Sequence, residues 1–319
     1  MFNHRTIIRI LGVILFTEGF FMLLAVPVSL IYREDDFLLF LLSAAISICA
    51  GLAAYLPVRK SEPKLNRRDG YMIVTGAWVL FSLFGTLPFL LTGSITNFTD
   101  AFFETISGFT TTGASILNNI EELSHGILFW RSLIQWLGGM GIILLTLLLL
   151  PFLGIGGVQL FSAEVPSPTP DKLHPHIKDT AKRLWLIYLL FTLAETLLLW
   201  AGDMGLYDAI CHSLTTMATG GYSTKQASIA HWNSPYIQYV ITLFMFLAGT
   251  NFTLAYFGIH GQFRKIWKNE EFKWYVGFIL GFTLLVTIGL FFSGGGGLEP
   301  AFRNAVFQVV SILTTTGYV

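Results

Sequence analysis

The chain has 319 residues, 54% of them hydrophobic and 12% charged, with a mean hydropathy of +0.66. That is more apolar surface than a soluble core of this size buries, so a water-soluble globular protein is excluded. Nineteen basic residues balance nineteen acidic ones, which leaves no surplus basic face for nucleic acid.

Seven stretches are apolar and long enough to span a bilayer as helices of roughly 20 residues. In chain order they lie near 6–31, 37–57, 71–92, 128–153, 183–202, 235–258 and 274–293. The first follows His4, Arg5 and Arg9 and runs apolar from Ile10 to Ile31, too long for a cleaved signal peptide. It is read as an uncleaved helix with a cytoplasmic N-terminus. Short loops rich in Lys and Arg stay on the cytoplasmic side. With the N-terminus inside, Arg5 and Arg9, Arg59 to Arg68, Lys172 to Arg183, and Arg264 to Lys273 fall on that side, 15 of the 19 basic residues. Cys49 and Cys211 give neither a disulfide framework nor a metal-ligand spacing.

Between or after these spans one unit recurs three times. The copies run from Asp100 to Gly113, from Asp208 to Gly221 and from Asn304 to Gly317. In each, an Asp or Asn stands 13 residues before the final glycine, an Ala follows it, and a Ser or Thr (Ser107, Thr215, Ser311) stands six residues before that glycine. Each copy predicts a short helix of about 10 residues and then a Thr/Gly segment. Such a helix is too short to cross a bilayer, and it is tolerated at membrane depth only where protein or water shields its end. Helix starts are expected at Asn97, Thr99 and Asp100, at Asp203 and Asp208, and at Glu299-Pro300.

A segment such as Thr110-Thr111-Thr112-Gly113 suits a dehydrated cation. Glycine takes backbone angles that other residues avoid, threonine adds hydroxyl oxygens, and rings of backbone carbonyls replace the hydration shell in potassium filters. The negative C-terminal ends of the short helices point the same way. The corresponding segments of the three copies are Thr110, Thr111, Thr112 and Gly113, then Ala218, Thr219, Gly220 and Gly221, then Thr314, Thr315, Thr316 and Gly317.

Glu18, Glu104 and Glu195 lie at hydrophobic depth, where a charge costs roughly 2.5 to 3.5 kcal/mol. Glu104 aligns with His212 and Gln308 in the three copies; it is expected either to pack behind the Thr/Gly segment through polar contacts or to bond a neighbouring loop. Glu18 and Glu195 are expected to partner another helix, Arg131 to snorkel to the interface, and Gly138, Gly139 and Gly141 to face a short helix. His174 and His176 have no third ligand nearby. An enzyme reading on His212 beside Cys211 finds no base with an orienting carboxylate at workable spacing.

These residues resemble the Trk/Ktr/HKT superfamily of potassium transporters, and within it the bacterial TrkH branch. The resemblance is carried by Arg67 to Gly70, Leu87-Pro88-Phe89, Asp100 to Ala114, Gln135 to Gly141, Leu153 to Gly157, and Gly220 to Thr224. It implies an all-α integral membrane fold in the bacterial inner membrane. Two N-terminal helices (1–66) precede helix–pore loop–helix repeats at 67–157, at 158–262 with a cytoplasmic loop at 154–182, and, incomplete, at 263–319; the fourth repeat is missing. The implied function is potassium uptake, with no bound cofactor and potassium as the transported ion, and the implied potassium filter is lined by Thr110, Thr111, Thr112 and Gly113, by Ala218, Thr219, Gly220 and Gly221, and by Thr314, Thr315, Thr316 and Gly317. The implied partners are a cytosolic nucleotide-binding regulatory subunit of TrkA type, sought at Lys172 to Arg183 and Arg264 to Lys273, and a second copy in a homodimer. Glycine rather than serine at position 113 implies potassium over sodium. Because the third repeat stops at Val319, the expectation is a fragment or a disrupted gene, with a non-conducting remnant as the alternative to transport.

Overall fold

The computed structural model describes residues 3–59, 67–153, 177–293 and 297–319. Among them every regular element is helical. The predicted loop at 154–182, apart from its last residues, lies outside the described residues, as do Gly154 to Gly157, His174 and His176, and Lys60 and Lys64.

The chain divides into two compact units. The first holds α1 (His4–Met22), α2 (Ala25–Tyr32), α3 (Phe37–Tyr55), α4 (Arg67–Gly85), α5 (Leu87–Leu91), α6 (Phe98–Phe109) and α7 (His125–Leu153). Asn3 starts α1 by accepting the Thr6 N–H on its side chain, and Asn97 does the same for α6 with the Thr99 N–H, as the cap signal predicts. Helix α1 packs on α3 and α4, α4 on α6, and α6 on α7. The α1–α3 crossing is close: a Cβ on Gly12 would sit 2.8 Å from the Gly51 carbonyl oxygen, the approach that small residues permit in membranes.

The second unit holds Thr111–Gly113 and the chain from Asp179 onward. Its helices are α8 (Ile177–Ala201), α9 (Leu206–Met217), α10 (Pro235–Ala248), α11 (Phe252–Ile259), α12 (Phe263–Lys268), α13 (Glu270–Phe292) and α14 (Leu298–Leu313). Helix α14 packs on α10 and α13, and α9 packs on α10.

Five of the seven predicted spans are helices long and apolar enough to cross a membrane: His4–Tyr32, Phe37–Val58, Arg68–Leu91, Lys182–Ala201 and Glu270–Phe292. The stretch at 128–153 is helical within α7. The stretch at 235–258 departs from expectation, because α10 and α11 meet at a bend of 109°. Three consecutive residues cause it. Gly249 closes α10 by donating to the Met245 carbonyl, Thr250 bonds the Leu247 carbonyl through both its N–H and its hydroxyl, and Asn251 starts α11 by accepting the Thr253 N–H. A helix end and a new cap in adjacent positions override a continuous apolar run. The three short helices have 12, 12 and 16 residues, longer than the predicted ten.

Candidate ion-conduction site

The helices α6, α9 and α14 end at Thr110, Ala218 and Thr314. Each is followed by the same backbone pattern. Thr111, Thr219 and Thr315 have φ of 54°, 52° and 60°, and two residues later Gly113, Gly221 and Gly317 have φ of 76°, 70° and 78°. The intervening Thr112, Gly220 and Thr316 stay at negative φ. A β-branched residue in the left-handed region is an outlier costing about 1–3 kcal/mol, held only where its surroundings impose it. An extended strand alternates its carbonyls, whereas alternating the sign of φ turns successive carbonyls toward one side. One costly conformation at three aligned positions marks a shared task.

All three glycines lie within the second unit. A Cβ on Gly113 would run into the Gly220 carbonyl oxygen and stand 3.9 Å from that of Thr316. A Cβ on Gly221 would run into the Thr316 carbonyl oxygen. Each of these carbonyls therefore abuts the glycine of the preceding loop, and both φ and space demand glycine there. A Cβ on Gly317 would meet nothing within 4 Å among the described residues. The threonine hydroxyls expected to face the ion are in part turned away: those of Thr110 and Thr314 donate back to Ile106 and Val310, at 2.7 and 2.8 Å.

Side chains of the short helices hold the loops. Six residues before the glycine, Ser107 donates to the Ala114 carbonyl at 2.6 Å, and Ser311 to the Tyr318 carbonyl at 2.9 Å. The serine thus ties down the residue that follows the glycine. In the second loop Thr215 holds this place; its hydroxyl is 2.5 Å from the Tyr318 hydroxyl, which also donates to the His212 carbonyl at 3.2 Å. The residue after the third glycine therefore reaches into the helix behind the second.

Nine residues before the glycine stand Glu104 and His212, and each bonds the serine two residues after it. Glu104 accepts from Ser115 Oγ at 3.0 Å and, on its other oxygen, from the Ile116 N–H at 3.0 Å. His212 Nε2 is 2.9 Å from Ser223 Oγ, and its Nδ1 is 2.7 Å from the Asp208 carbonyl. A carbonyl only accepts, so Nδ1 carries the proton, and in the neutral ring Nε2 accepts from the serine. Both serines then accept the N–H two residues on, Leu117 at 3.1 Å and Lys225 at 3.0 Å. The same circuit is thus built twice, and both expected roles of Glu104 are met by one carboxylate. The serine partners were legible at matching positions once the alignment is carried past the glycine; Val319 holds that place in the third copy.

Arg131 does not snorkel. It is 2% exposed, and its Nε donates to Glu104 at 2.6 Å. A carboxylate already holding two loop donors attracts the guanidinium inward, where the pair neutralises itself. Glu18 is fully buried with neither oxygen hydrogen-bonded among the described residues. It faces Gly85 of α4, whose Cβ would meet Glu18 Oε1 at 3.1 Å together with Thr105 and Phe109 of α6. Glu195 is fully buried beside Thr216 of α9.

Gly138 meets a short helix as expected: a Cβ there would run into the Phe109 carbonyl oxygen at the end of α6, whereas a Cβ on Gly141 would meet nothing within 4 Å among the described residues. Gly138→Ala should therefore force α7 off α6 at a cost of about 1–3 kcal/mol, while Gly141→Ala should be neutral. Thermal unfolding in detergent, compared between the two variants, checks this.

The family model described as TrkH, cation transport protein, matches residues 37–295. The chain belongs to the TrkH family. It is 40% identical to the Trk system potassium uptake protein TrkH of Salmonella typhimurium and to that of Escherichia coli K12, over 99% of this chain and 66% of each relative. It is 33% identical to the Escherichia coli potassium uptake protein TrkG, over 98% of this chain and 65% of that one. The crystal structure of the potassium transporter TrkH from Vibrio parahaemolyticus superposes with a TM-score of 0.85 at 36% identity, covering 97% of this chain and 64% of that chain. This TrkH-family chain thus spans just under two thirds of the length of the relatives it matches. Its family is one of transporters and not of enzymes, so the reading built on His212 and Cys211 is set aside.

Proposed function

We propose that the chain conducts potassium across the bacterial inner membrane, as the membrane subunit of a Trk-type uptake system or as part of one. The ion path is formed by the carbonyls of Thr110 to Gly113, Ala218 to Gly221 and Thr314 to Gly317. The observation that carries this reading is the left-handed threonine followed by a left-handed glycine, set at the same place in three loops, with a carbonyl of the second and of the third loop pressed against the glycine of the loop before it. Residues 1–66 form a two-helix extension, 67–157 and 158–262 two helix–pore loop–helix repeats, and 263–319 the described part of a third. The N-terminus is cytoplasmic, because that orientation puts most of the basic residues inside. Gly113 favours potassium over sodium. The names of the relatives, all potassium uptake proteins of Trk systems, support the same ion. A cytosolic nucleotide-binding regulator of TrkA type and a second copy of the chain are its partners.

Expression in bacteria lacking their own potassium uptake systems tests this. Growth and rubidium uptake at low potassium should be restored, and Gly113→Ser should lose that rescue or admit sodium. Failure to restore uptake, with the protein confirmed in the membrane, means that residues 1–319 do not conduct by themselves.

A further inference from the structure

The turn between α11 and α13 carries a shallow concavity of about 480 Å³ lined by Gln262, Arg264, Lys265 and Lys268. Three of these four side chains are cations, and none is in an ion pair among the described residues. Lys265 is steadied over the Phe257 ring, 4.7 Å from its centroid. Large aromatics flank the site and stand in the open: Phe263 and Trp267 are each 61% exposed, and Trp274 is 69% exposed. Trp274 lies in the first turns of α13, the span Glu270–Phe292, which is the least covered of the five, with 17% of its apolar window buried. Exposed Trp and Phe at the end of a helix long and apolar enough to cross a membrane belong at the headgroup level. Basic pockets at that level gather anionic headgroups.

We propose that Gln262, Arg264, Lys265 and Lys268 form a binding site for the phosphate of an anionic phospholipid, with Phe263, Trp267 and Trp274 resting against its glycerol and upper acyl region. The guanidinium of Arg264 offers paired donors to phosphate oxygens, the two lysines add point charge, and the Gln262 amide supplies a neutral donor. Glu270 and Glu271 follow in the first turn of α13, where they complement its dipole. The segment Arg264 to Lys273, marked by sequence as a surface for a cytosolic regulator, is thereby assigned to lipid. This site is independent of ion conduction.

The test uses the full chain purified in mild detergent. It is mixed with equal amounts of phosphatidylglycerol and phosphatidylcholine, and the retained lipid is counted by native mass spectrometry. The chain should retain phosphatidylglycerol over phosphatidylcholine by about tenfold or more, as expected for several basic groups at a membrane surface. The triple variant Arg264→Gln, Lys265→Gln, Lys268→Gln should bring the ratio near one with unchanged helical circular dichroism. Lys268→Gln alone, an exposed single change, should lower it partially. Equal retention of the two lipids by the unaltered chain overturns the proposal. So does displacement of phosphatidylglycerol by millimolar inorganic phosphate, which marks a site for free phosphate. Preferential capture of an acidic peptide over phosphatidylglycerol also overturns it and returns the segment to a protein partner.

Discussion

Arg131→Leu should destabilise the chain by about 3–5 kcal/mol, because it leaves the Glu104 carboxylate buried and uncompensated. Glu104 is fully buried, and three donors converge on it, from Arg131, Ser115 and Ile116. Glu104→Gln should cost a comparable amount by stranding the guanidinium instead. Replacing both residues with leucine should cost less than the two single changes added together, since neither charge is then left alone. Unfolding in a denaturing detergent series, read as a double-mutant cycle, measures the coupling. Additive losses would show that the pair does not act as one. The functional consequence lies two residues away in the chain. Ser115 and Ile116 leave the first loop, so a loosened Glu104 frees the backbone that sets Gly113, and selectivity for potassium over sodium should fall in any variant that still folds.

Gly221→Ala should abolish rubidium uptake, whereas Gly93→Ala should only weaken it. The two glycines share nearly the same left-handed φ, 70° and 72°, so an alanine pays a similar conformational cost at either, about 1–2 kcal/mol. They differ in surroundings. The added Cβ at 221 runs into the Thr316 carbonyl oxygen, while at 93 it meets nothing within 4 Å among the described residues. A side chain at 221 must therefore displace a carbonyl proposed to bind the ion. Side-by-side uptake at matched expression decides this, and equal defects in the two variants would mean that strain alone, and not the displaced carbonyl, governs conduction.

Much of this arrangement was legible from spacing. Three copies with an Asp or Asn 13 residues before a glycine located the short helices, and Asn97 marked the start of α6 because a side chain that can cap its own helix is a local signal. The serines six residues before the glycine were visible as a pattern, but their task was not, because the loop's return to the helix is a tertiary fact. The break at Gly249-Thr250-Asn251 was hidden by continuous apolar sequence on both sides, although a C-cap glycine followed by a capping asparagine was there to read. Arg131 was misplaced for a different reason. Its partner lies 27 residues away on another helix, and no periodicity links them; only a count of which buried carboxylates lack a counter-ion points from Glu104 to the one arginine within reach in α7.

The most direct measurement is the position of rubidium in crystals of the chain, located by its anomalous scattering. A rubidium peak within coordination distance of the Gly220 and Thr316 carbonyl oxygens, lost when sodium replaces potassium and rubidium, is the predicted result. Rubidium bound only elsewhere, or a peak at these carbonyls that sodium fills equally well, would contradict a potassium filter built from these loops.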